Sequence, residues 1–216
     1  MSQEISLKEA ERKVFTSAYQ HGLWDIFIGC FFLEFAIVPF LSRSLGDFWS
    51  SVVFVPFQVM ALLAIWLVRK YVVTPRVGMV KFGSWRRNRL IKFNVVMLVV
   101  LVAALILGIL SALNFAAVPG WIHTARFSLI ILVAFSIAAY FLDFTRLYIY
   151  GVLFALSPVV GEWFYVYMKV PHHGFPVTFG ASAGITILVG LVKFIHLLRD
   201  YPLPLEESPS ERAYGD

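Results

Sequence analysis

Six apolar runs of about 20 residues constrain this chain more than any other feature. A backbone that crosses the hydrocarbon core of a bilayer must satisfy every N–H and C=O internally, and an α-helix does so in about 20 residues at 1.5 Å each. The runs Gly22–Leu41, Trp49–Val68, Phe93–Leu113, Ile122–Leu142, Leu147–Met168 and Val177–Leu198 all meet that length. Arg126 and Lys193 interrupt the fourth and sixth runs near an end, where long side chains snorkel to the interface. The expected fold is therefore all-α, a six-transmembrane-helix bundle forming one domain over residues 22–200. Composition agrees: 60% of the residues are hydrophobic and 14% charged, against about a quarter charged in soluble domains.

Orientation is read from the basic residues. The stretch from Arg69 to Lys92 carries eight of the chain's eighteen Lys and Arg residues and lies between the second and third runs. Short loops rich in Lys and Arg stay cytoplasmic, so this loop is expected inside, and with six spans both termini follow it. The opposite face carries only Arg43 and Lys169 in its loops, plus Arg126 near a span end. Trp24, Trp49, Trp66, Trp121 and Trp163 fall near expected span ends and Trp85 in the basic loop, as an interfacial belt requires. The formal charge of +5 is thus a topology signal, and its confinement to one loop argues against a nucleic-acid face. A second role is contact with anionic headgroups through Arg76, Lys81, Arg86, Arg87, Arg89 and Lys92.

The flanking segments add detail. Ser6 to Glu9 has the form of a capping box, and Leu7, Ala10, Val14, Phe15 and Ala18 share a stripe. Residues 1–21 are read as an amphipathic interfacial helix that leads into a retained signal anchor. Within the basic loop, "TPRVG" between Tyr71-Val72-Val73 and Met79-Val80-Lys81 suggests a small hairpin, followed by a helix capped by Ser84. Residues 201–216, rich in Pro, Glu and Ser, are read as a disordered cytoplasmic tail. Cys30 is the only cysteine, which excludes an intramolecular disulfide and any Cys-based zinc site.

Ionisable side chains inside spans are costly and are functional candidates by default. Depth along the helices sorts them into two groups. Asp25, Lys193, His196, Asp143 and Arg146 are expected to meet at the inner side. Glu34, about 18 Å into the first span, is expected to meet Arg126 and Glu162 towards the outer side. Both groups are read either as ion pairs holding the bundle in register or as parts of a proton- or ion-coupled path. Asp25 and Glu34 are nine residues apart and face opposite sides of a straight helix. His21 with Asp25, and His196 with Asp200, are i, i+4 pairs at inner helix ends. Pro56 and Pro158 favour kinks, and Gly180 with Gly184 forms a small-xxx-small packing face. His123, His172 and His173 offer a weak alternative as a metal site, but HxxxH and HExxH spacings are absent. No cofactor is implied.

"HGLWDIFIG" and "TPRVGMVKFG" resemble signatures of an uncharacterised group of prokaryotic polytopic membrane proteins, over about the first 85 residues. That resemblance implies a bacterial or archaeal inner membrane and no particular activity. Three functional readings follow. The first is a non-catalytic subunit, scaffold or lipid-binding bundle that contacts lipids, another membrane protein or a second copy. The second is a small transporter or channel using Glu34. The third is an intramembrane enzyme with an outer-face His site.

Overall fold

A computed structural model describes residues 21–77, 84–113 and 118–202. The capping box, Lys81 and the tail beyond Pro202 lie outside these residues. Six helices in the described residues are long and apolar enough to cross a membrane, as expected. The helices that carry these spans are α1 (Leu23–Val52), α2 (Phe54–Val68), α3 (Ser84–Leu113), α4 (Gly120–Leu142), α5 (Arg146–Met168) and α6 (Phe175–Asp200). The membrane-length part of α1 stops at Gly46, whose φ of 77° and ψ of 164° are non-helical. The second span then runs from Phe48 to Arg76, interrupted at Val53. That interruption lies in the turn that Pro56 deprives of an N–H donor to Val52.

The first arm and the turn of the expected hairpin are helical instead, and its second arm, Met79 to Lys81, lies outside the described residues. Arg69–Val73 is a π-helical turn and Thr74–Val77 a short helix, so the chain continues in helical form where strands were expected. Pro75 supplies the reason. It lacks an N–H and its ring crowds the carbonyl four residues back, and a π turn just before it relieves both. Thr74 makes the wider turn, its N–H and its hydroxyl both reaching the Arg69 carbonyl, the latter at 2.8 Å.

Four helices form the core and two flank it. The most extensive contact joins α1 and α6; α4–α5 and α5–α6 complete the set, while α2 rests on α1 and α3 on α4. The centre is aromatic. Phe32 of α1 stacks on Phe154 of α5 with ring centroids 3.8 Å apart, and Phe179 of α6 lies parallel to Phe32 at 6.2 Å. Phe35, Phe127 and Phe135 close around them. In lipid there is no hydrophobic drive between helices, so such close packing and interhelical hydrogen bonds must hold the bundle.

Close packing is densest where α1 and α6 cross. A Cβ on Gly22 would sit 2.1 Å from the Gly190 carbonyl oxygen, and one on Gly190 would sit 2.7 Å from that of Gly22. Gly22 also has φ +81°, which L side chains rarely adopt. The Gly180–Gly184 face takes no comparable part: Gly180 meets Ala36 at an ordinary 3.7 Å and Gly184 has open space. The buried stripe of α6 is Thr178, Ser182, Thr186 and Gly190, spaced by four. Ser182 binds Ser157 of α5 across the interface at 2.8 Å, and Thr178 and Thr186 return their hydroxyls to carbonyls one turn back.

Candidate functional site

Most of the ionisable residues of the spans lie towards the two ends of the bundle; Glu34, midway along the first span, is the exception. One end holds the start of α1, the junction of α4 and α5, and the last turns of α6. Here Asp25 is fully buried. Tyr150 donates to its Oδ1 at 2.6 Å and Arg146 to its Oδ2 at 2.9 Å. Both donors come from the first turns of α5, four residues apart, so one helical face presents them together. The Arg146 guanidinium also lies 4.8 Å from the centre of the Phe144 ring. A buried carboxylate needs such partners, because an unpaired charge in this setting costs several kcal/mol.

Beside this pair opens a cleft of about 970 Å³, lined by His21, Arg146, Lys193, His196 and Asp200 among others. Lys193 sits at the α1–α6 crossing, its Cβ 3.0 Å from the place a Cβ on Gly22 would take. It makes no ion pair among the described residues, although its charge acts on Asp25. His196 donates from Nδ1 to the Val192 carbonyl at 2.8 Å, which leaves Nε2 of the neutral ring as an acceptor. His21 lies just before the first span. Burial, and then the Arg69 charge, lower its pKa from the ordinary 6.5.

Sequence depth therefore brought Asp25, Arg146, Lys193 and His196 to one region, and the structure does the same. Asp143 departs from that expectation. It ends α4 in a left-handed conformation, φ 50°, and binds Arg89 of α3 through both oxygens at 2.9 and 3.2 Å. Arg89 also donates to the Tyr140 carbonyl and packs over the Tyr140 ring. Arg89, expected at the lipid headgroups, thus forms a strut between α3 and α4. The expected i, i+4 pairs do not appear either. Asp25 turns to Tyr150 and Arg146 instead of His21, and His196 turns to Val192 instead of Asp200. Of the other basic-loop residues, Arg76 donates to the Val72 carbonyl at 2.8 Å. Arg87 and Lys92 are exposed, and the Arg86 side chain lies outside the described set.

The expected outer group does not assemble. Glu34 accepts from Nε2 of Gln58 on α2. Arg126 donates to Ser111 on α3 at 3.2 Å, and Glu162 pairs with Nδ1 of His173 at 2.9 Å. Each carboxylate or guanidinium faces a different neighbour because rotation about each helix axis, which depth does not reveal, sends them apart. The histidines diverge too. His172 lies edge-on to Phe40, and His173 lies over Tyr165 with centroids 4.2 Å apart. Among the described residues no three His, Cys, Asp or Glu side chains are placed to hold a metal together.

Two apolar grooves open beside α2. One, of about 430 Å³, runs between α1 and α2 from Leu62 to Trp66 and Arg69. The other, of about 490 Å³, is lined by Phe31, Phe32, Leu62, Ile131 and Gln58. Leu62 borders both. Comparison of the chain with family models, curated proteins and solved structures finds no match.

Proposed function

We propose that this is a non-catalytic multi-pass protein of a prokaryotic inner membrane, a lipid-binding scaffold with its basic end and both termini in the cytoplasm. The observation that carries the reading is how the charges inside the spans are used. Asp25 binds Arg146 and Tyr150, and Asp143 binds Arg89. Glu34 binds Gln58, and Glu162 binds His173. Each contact joins neighbouring elements. At the centre of the bundle the rings of Phe32, Phe154 and Phe179 stack on one another. Such an arrangement favours a rigid body over a conduit. The flanking helices support a lipid-binding role, since α2 and the apolar stretch of α3 hold no fully buried residue and apolar grooves flank α2.

The test is reconstitution of the purified protein in liposomes under a pH gradient, with native mass spectrometry of the same preparation. Retained phospholipid and no flux above protein-free vesicles is the expected result. A flux that disappears in a folded Glu34→Gln variant would replace this reading with proton-coupled transport. Orientation has its own test. In a Cys30→Ser background, Lys81→Cys is expected to resist an impermeant thiol reagent added outside intact cells.

A further inference from the structure

We propose that the cleft between the start of α1, the start of α5 and the end of α6 is a phosphate site, built for the headgroup of an anionic phospholipid. This rests on the lipid-binding half of the proposed function and assigns it a place. The argument begins with Lys193. An ammonium about 10 Å back from the end of α6 sits within a span, half-buried, with no carboxylate bound to it among the described residues. Such a cation is stabilised by an anion brought into the cleft it faces.

The surroundings select the anion. Arg146 lines the same cleft and is held by Asp25, which Tyr150 fixes in turn, so it presents a positioned guanidinium. Arg and Lys together suit a phosphate oxyanion. Asp25 is fully buried behind Arg146 and turned to its two donors, while exposed Asp200 stands at the rim. His196 offers Nε2 as an acceptor, which a headgroup hydroxyl can meet. Leu188, Val189 and Val192 line the deeper part of the cleft, where the glycerol backbone and the first methylenes of an acyl chain would lie. A phosphodiester bearing a free hydroxyl above and chains below fits that order of surfaces, and phosphatidylglycerol is its simplest form.

The experiment compares the whole protein with Lys193→Gln and Lys193→Arg variants by native mass spectrometry in mild detergent. Phosphatidylglycerol and phosphatidylcholine of equal chain length are added in turn, and glycerol 3-phosphate is tested as a competitor. Wild type is expected to retain phosphatidylglycerol over phosphatidylcholine. Lys193→Gln should lose at least about tenfold in that retention and Lys193→Arg should keep most of it. Competition by glycerol 3-phosphate would assign the site to a free phosphate ester, and its absence to the lipid. Asp200→Asn serves if Lys193→Gln does not fold, and removal of the rim carboxylate should tighten retention. Equal retention by wild type and Lys193→Gln, or no gain in Asp200→Asn, overturns the cleft assignment and leaves lipid binding elsewhere intact. A wild type that retains no phospholipid overturns both readings.

Discussion

Asp25 shows how one residue can hold three helices to a common register. Its carboxylate lies on α1 and its donors on α5, and Lys193 of α6 is close enough to act on it by charge. Removing Arg146 leaves the buried Asp25 carboxylate with Tyr150 as its one remaining side-chain donor among the described residues. Arg146→Gln is therefore expected to destabilise the protein by about 3–5 kcal/mol, and an apolar double replacement of Asp25 and Arg146 by much less. Thermal unfolding in detergent distinguishes the two. His21 carries a pH dependence of defined sign. Its pKa in the folded protein lies below 6.5, so the unfolded chain takes up the proton first. Stability is complete above about pH 7 and declines as the pH falls through the mid-sixes, because protonation then favours the unfolded state. A His21→Asn variant should lose that acid decline in melts taken between about pH 7.5 and pH 5.5. The membership of this end was legible in the sequence, since counting residues along a span places a charge at a depth. The pairing was not. Depth gives no rotation about the helix axis, so Asp143 was grouped with Asp25 when Arg89 on another helix claims it.

At the scale of elements, the α1–α6 contact is the most sensitive joint. A methyl group added at Gly190 would enter the Gly22 backbone, which cannot yield as a side chain can. Gly190→Ala is expected to cost about 1–3 kcal/mol. Gly184→Ala, in open space, should be neutral or stabilising by up to about 1 kcal/mol through helix propensity alone. Measuring both melts separates packing from propensity, and a Gly190→Ala protein as stable as wild type would discredit the joint. The six helices themselves were plain from run length, because the bilayer imposes it. Which face of α6 packs was harder. Two interleaved series satisfy the small-residue spacing, Gly180–Gly184 and Thr178–Ser182–Thr186–Gly190, and they lie about 200° apart on the helix. The longer series, whose Ser182 hydroxyl bonds across to Ser157, is the buried one. Its length was the available signal. The hairpin expectation failed for a different reason: "TPRVG" carries turn residues, but a proline is also accommodated by widening the preceding helical turn.

Among the described residues the molecule is a four-helix core with α2 and α3 laid against it, and α1 is seated against α6. Amide exchange in a bilayer mimetic should divide along that line, with α1, α4, α5 and α6 slowest. Equal protection in α2 and α3 would mean that another surface covers them. The seating of α1 also sets a problem of timing. A chain made from its N-terminus delivers Asp25 to the membrane 121 residues before Arg146. At about 5–20 residues per second, the ribosome leaves that carboxylate waiting for roughly 6–24 s. Through that interval α1 has neither its donors on α5 nor its groove on α6. Either the insertion machinery shelters it or it lingers at the interface, so a nascent chain stalled before residue 146 would be prey for quality-control proteases.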